Sequence, residues 1–272
     1  MSPDDLLLKD LLDELHDRFD RPEFIEKDPV SIPHLFSKKE DIEIAGFLTA
    51  LIAWGNRLSI LQSARKLLER MDHQPHEFVL HATSTELAQL RGFVHRTFNE
   101  TDARGLIFAL RQAYRDHGGL EGLFTAGFRP GDIHTANAIA HVRGVLTGCK
   151  ALEPRSHKHL ADPMAGSSAK RLNMYLRWMV RDGRRGVDFG LWKGIDTHQL
   201  VCPLDVHTAT VARGLGLLDR KQNDWKSALL LTERLKQFDP ADPVKYDFSL
   251  FGLGVSGEWK AFLKSGQMPG PG

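Results

Sequence analysis

Apolar residues recur at helical spacing through most of this chain, and no run alternates at the two-residue period of a strand. Leu61, Ala64, Leu68 and Met71 mark one amphipathic helix. Ala103, Leu106, Ile107, Leu110, Ala113 and Tyr114 mark a second, with Thr101 or Asp102 placed to cap it. Leu172, Tyr175, Leu176, Met179 and Val180 follow the i, i+3, i+4, i+7, i+8 pattern of a third. Gly118-Gly119, Pro130-Gly131, Pro154, Pro163, Gly183 and Asp239-Pro240 punctuate these stretches as turns. No internal repeat marks a solenoid. The pattern predicts an all-α fold.

Length and charge narrow the organisation. A chain of 272 residues suits one unit, 1–272, built as two helical lobes around a cleft. The net charge is only +1, so any nucleic-acid surface must be a local patch. Met1-Ser2-Pro3-Asp4-Asp5 lacks the basic start and apolar core of a signal peptide. The apolar run 44–54 is too short to cross a bilayer and reads as a buried helix. A cytosolic protein with no membrane contact is expected. Cys149 and Cys202, its only cysteines, cannot make a four-cysteine cluster or zinc site, and no disulfide is expected in that compartment.

Two stretches read as connections. Segment 151–164 is polar and proline-bearing, a linker candidate with Arg155, His157, Lys158 and His159 in a solvated loop. Residues 267–272 read as a frayed tail. His157 and His159 have no third ligand nearby for a metal.

Segment 165–218 carries the chemistry. Lys170 follows the small-residue turn Gly166-Ser167-Ser168-Ala169. With Ser167 or Ser168 as N-cap, the lysine falls in the first turn, where the positive helix end opposes its charge. Two readings stand: an exposed lysine tolerated at small cost, or an amine nucleophile, which must be neutral to attack. At 100° per residue, Lys170, Arg177 and Arg181 lie within roughly 40° of one another, opposite the apolar stripe. That face reads as a solvated surface or as a set of phosphate contacts. Asp205 precedes a second helix as its N-cap, with Gly214 or Gly216 ending it. A capping carboxylate is held rigid and ionised, which also suits stabilisation of a cationic sugar.

Lys170 behind its turn, and Asp205 in Leu204-Asp205-Val206-His207-Thr208 followed by Arg213-Gly214-Leu215-Gly216-Leu217, resemble the helix-hairpin-helix DNA glycosylase superfamily. The long Lys170–Asp205 interval and the lack of cluster cysteines are similar to its archaeal 8-oxoguanine branch. Nearly the whole chain also resembles an uncharacterised bacterial family, DUF2400. Ala53-Trp54-Gly55-Asn56-Arg57, the stretch from Ala169 to Arg181 and the stretch from Asp242 to Phe251 carry that likeness.

The glycosylase resemblance implies a helix-hairpin-helix fold and excision of an oxidised purine from damaged double-stranded DNA. Lys170 would attack C1′ of a flipped nucleotide and form a Schiff base open to strand scission, with Asp205 orienting it. Trp54 and Asn56, with Asp247 and Phe248, would form the base pocket, Trp54 stacking on the base and Asn56 bonding it. The other reading of 54–56 is a core tryptophan followed by a helix-ending Gly-Asn. Gly166, Ser167, Ser168, Arg171, Arg177, Arg181 and His207 would contact DNA. No cofactor, metal or obligate protein partner is implied. Two other readings compete: a non-catalytic nucleic-acid-binding protein on the same fold, and a metal-dependent hydrolase using His198, Asp205 and His207.

Overall fold

The computed structural model describes residues 2–259. Their helices are α1 (Pro3–Phe19), α2 (Lys39–Ile52), α3 (Arg57–Glu69), α4 (Pro75–His81), α5 (Ser84–Leu87) and α6 (Glu100–His117). After these come α7 (Leu120–Thr125), α8 (Ala136–Gly148), α9 (Lys170–Val180), α10 (Val206–Gly214), α11 (Trp225–Lys236) and α12 (Tyr246–Ser256). The fold is all-α but for one antiparallel hairpin, β1 (Val94–His95) with β2 (Phe98–Asn99). Strands of two residues are too short to show an alternating pattern, so periodicity missed them. No helix among the described residues is long and apolar enough to cross a membrane. The tail 267–272 lies outside the described residues.

Helices α2 and α9 cross at the centre. Every residue from Ile42 to Ile52 of α2 is buried, as is every residue from Leu172 to Val180 of α9. Gly46 lets them approach: a Cβ there would lie 3.3 Å from both Tyr175 and Met179 side-chain atoms. Glu43, the one acid in that buried run, accepts hydrogen bonds from the Tyr114 hydroxyl at 2.8 Å and the Trp192 indole at 2.7 Å. Those donors offset part of its desolvation cost. Helix α12 packs against both α1 and α10, and the buried apolar side chains join in one cluster.

The helix starts differ from expectation in two places. Helix α6 is capped by Asn99, whose side chain accepts from the N–H groups of Thr101 and Asp102 while Asp102 reaches back to the Asn99 N–H. Thr101 and Asp102 therefore lie inside the helix. Helix α9 has no serine cap: Ala169 stands before it with φ 49°, in the left-handed region. Segment 151–164 is not a solvated linker either. It contains the 3-10 turn Pro154–His159, with Ser156 and His159 buried. The turn before α9 is thus preceded by a 3-10 segment rather than by an α-helix.

Candidate active site

A cavity of about 490 Å³ opens where the ends of α2, α3, α9 and α10 meet the flank of α12. Lys170 is the first residue of α9, and Asp205 is the N-cap of α10. Across the cavity wall, Lys170 Nζ lies 3.8 Å from Asp205 Oδ2. The other carboxylate oxygen, Oδ1, accepts the Thr208 N–H at 2.9 Å. One oxygen therefore fixes the helix start and the second is left facing the amine. Each of the two side chains keeps about a quarter of its surface exposed, 26% and 23%, so a bound molecule can reach both. The Ser168 hydroxyl donates to the Leu204 carbonyl at 3.4 Å and ties the two backbone segments together.

Around this pair the walls are charged and aromatic. Arg171 lines the cavity with no carboxylate partner among the described residues; its guanidinium donates to the carbonyls of Leu51 and His159 and sits 4.8 Å above the Trp54 ring. Burial lowers its pKa to about 10. Trp54 also stacks on His159, ring centroids 5.6 Å apart. On the opposite side Phe251 lies under Arg57, 5.4 Å from its guanidinium carbon, with the His207 ring edge-on to it. Asp247 and Asp28 complete the lining. Burial pushes Asp247 up to about 6, against the pull of Arg177, which bonds its carboxylate. Burial also raises Asp28, despite the Val30 N–H that it accepts.

Lys170, Asp205, Trp54, Asp247, Arg171, Arg177 and His207 all line this one cavity. Others named from sequence do not. Asn56 is exposed and spends its side-chain oxygen capping α3 through the Ser59 N–H at 3.1 Å. Phe248 is fully buried against His16 and Phe24, one turn before the cavity residue Phe251 on the same side of α12, and does not itself line the cavity. Gly166 and Ser167 lie on an exposed turn, where Ser167 pairs with Asp224 through the backbone.

The largest correction concerns Arg177 and Arg181. They do not form a solvent-facing basic stripe, being 3% and 7% exposed. Arg177 pairs with Asp188 at 3.3 Å and with Asp247; Arg181 pairs with Asp20 at 2.8 Å, Asp188 at 3.1 Å and Asp242 at 2.7 Å. Burial alone would lower both arginines, but these carboxylates hold them above their ordinary values. With donors committed to buried aspartates, neither is placed for phosphate contact. Arg171 is likewise turned inward. The metal-hydrolase reading finds no site: among the described residues no group of three or more His, Cys, Asp or Glu side chains is arranged to hold a metal ion, and His198 lies outside the cavity. Cys149 and Cys202 are free.

Asp28, Arg57, His159 and Phe251 were not assigned a place in the site from sequence. Arg57 and Phe251 each stood in a noted phrase without a role. His159 stood in the His157-x-His159 pair, read only against metal binding, and Asp28 had no local pattern to mark it.

The protein is thus a largely helical one with a lysine–aspartate pair in an aromatic-walled cavity. The family described as "Protein of unknown function (DUF2400)" matches residues 28–256, a span that includes both Lys170 and Asp205. The chain belongs to that family. No curated protein and no solved structure matches it.

Proposed function

We propose that the protein is a DNA glycosylase with associated lyase activity, acting on an oxidised purine of the 8-oxoguanine kind in damaged duplex DNA. The observation that carries this reading is the 3.8 Å approach of Lys170 Nζ to Asp205 in a cavity of about 490 Å³. That volume is in the range that encloses a small ligand. A stacked base is out of reach of any side chain, so the nucleotide must be flipped into the cavity.

Neutral Lys170 attacks C1′; the bond from C1′ to the base breaks, and its electron pair leaves with the base, which takes up a proton. Loss of a proton from the amine and opening of the sugar ring give a Schiff base between Nζ and C1′. Removal of a proton from C2′ then expels the 3′ phosphate and cuts the strand. Asp205 holds the amine in line and stabilises positive charge as it develops on the sugar. Asp247 offers a carboxylate to the N–H groups of a purine edge. Trp54 and Phe251 both line the cavity and supply the aromatic surfaces on which a base stacks.

The test is single-turnover excision and borohydride trapping on matched duplexes carrying 8-oxoguanine, uracil, thymine glycol or an alkylated purine. The reading expects excision and a covalent adduct with 8-oxoguanine. Action on a pyrimidine or alkylated base alone would replace the substrate and keep the glycosylase. Tight binding with neither excision nor adduct on any duplex would make the protein a non-catalytic nucleic-acid binder.

A further inference from the structure

We infer that Arg57 and Arg96 form a two-guanidinium clamp for backbone phosphates of the DNA strand that enters the cavity. The inference rests on the nucleic-acid reading above and supplies the phosphate contacts that Arg177 and Arg181 cannot make.

The charges inside the cavity are nearly spent on one another. Lys170 faces Asp205, Arg177 is shared between Asp188 and Asp247, and Arg171 is bound to carbonyls. Three carboxylates, Asp28, Asp205 and Asp247, also line it. With Lys170, Arg171 and Arg177 set against these carboxylates, the interior is close to neutral and has no surplus of positive charge to draw an anionic group inward. The phosphates of a bound strand therefore belong at the rim.

Two cations wait there. Arg57 lines the mouth, and its guanidinium lies over the Phe251 ring. Arg96 is exposed at the tip of the β1–β2 hairpin. Its guanidinium covers the backbone of Gly55, another residue of the mouth: a Cβ at Gly55 would fall 2.3 Å from Arg96 Nε. The Arg96 side chain is flexible enough to swing away from a Cβ, so it is the φ of +100° that favours glycine at this position. Among the described residues neither arginine makes an ion pair or hydrogen bond, so their donors remain for a ligand. Planar guanidinium forks match phosphate oxygens two at a time.

The hairpin that carries Arg96 is held from both sides. His95 sits 2.9 Å from the Ser63 hydroxyl and 3.3 Å from the Trp54 carbonyl, and Arg155 donates to the Thr97 carbonyl at 3.4 Å. Arg96 itself has φ 53°, a left-handed backbone that this bracing maintains. A cation presented on a fixed turn loses less freedom on binding than one on a mobile loop.

Fluorescence anisotropy of an abasic-analogue duplex, titrated over a range of salt, tests the clamp on the full chain. Arg57→Gln and Arg96→Gln should each lower the salt slope by about one, and the double variant by about two. Lys150→Gln, at an exposed residue that does not line the cavity, should leave the slope unchanged. Arg96→Lys should restore most of it. Thermal melts should stay close to the wild-type value, because the side chains make no hydrogen bond or ion pair among the described residues and Arg57 gives up only its cation–π contact with Phe251. If the wild type binds and both Gln variants keep its slope, the clamp is wrong and the glycosylase reading stands. If the wild type neither binds duplex nor forms a borohydride adduct, both fall together.

Discussion

At the first turn of α9, Lys170 faces a single carboxylate across an open cavity; further along the same side, Arg177 and Arg181 are enclosed by Asp20, Asp188, Asp242 and Asp247. Residues at one wheel angle of one helix have parted into two environments. The partition comes from what packs opposite. The carboxylates around the arginines come from the end of α1, from the 182–189 loop, from α12 and from the turn before it, so the ion network ties α9 to these elements. At the mouth the lysine keeps about a quarter of its side chain exposed. Breaking a buried pair strands a charge and costs several kcal/mol, whereas a pair that solvent still reaches contributes on the order of 1 kcal/mol. The inner end of α9 holds the helix in place, and the outer end is spared for a ligand.

That contrast is broken most forcefully at Arg177. Arg177→Ala leaves Asp247 buried without its partner and Asp188 with Arg181 alone, and should cost about 3–5 kcal/mol in urea unfolding. Lys170→Gln, by the same measurement, should stay within about 1 kcal/mol of wild type. Similar losses for both would erase the distinction between the two ends.

Asp205→Asn should act on rate rather than on stability. An amide still caps α10 nearly as well, but it gives no charge to a developing cation. Single-turnover excision should fall by about 10²-fold with duplex affinity near wild type. Activity within a few-fold of wild type would reduce Asp205 to a cap.

Asp247 joins the two regions, since it lines the cavity and binds Arg177. Its folded pKa is raised from 3.8 to about 6 by burial. The folded form therefore keeps its proton over a range where the unfolded chain has lost it. Stability from this group is present below the unfolded value and is lost as pH rises through about 6. Relative to Asp247→Asn, the wild type should lose stability between about pH 4 and pH 6 in urea titrations. A difference that stays constant over that window would place the carboxyl in a less buried setting.

The smallest effect is expected at Asn56. Asn56→Ala removes the α3 cap and should cost about 1 kcal/mol without altering the choice among lesions. A change in that choice would return Asn56 to the base pocket.

Much of this arrangement was legible in the chain, and the missing part has a common cause. Helices α3, α6 and α9 follow from apolar spacing because each presents one side to the core over several turns. Asp205 reads as a cap because capping is local, resolved within three residues by Thr208. Lys170 and Asp205 could be paired only through the glycosylase resemblance, since nothing local relates them. The basic stripe misled for the same reason. A wheel shows that Arg177 and Arg181 share a direction but not that Asp20, Asp188, Asp242 and Asp247 converge from elsewhere. His159 looked like one more residue of a polar loop until Trp54, Phe98 and Arg171 closed around it. Local order is written locally; burial of charge is written by the whole fold.

The central claim is that the exposed end of α9 presents a nucleophilic amine. It is tested most directly by borohydride reduction of the protein on an 8-oxoguanine duplex, followed by proteolysis and mass mapping of the adduct. The account predicts a sugar remnant on the peptide carrying Lys170, and none from Lys170→Gln folded to wild-type stability. An adduct on another lysine, or undiminished trapping by Lys170→Gln, would contradict it.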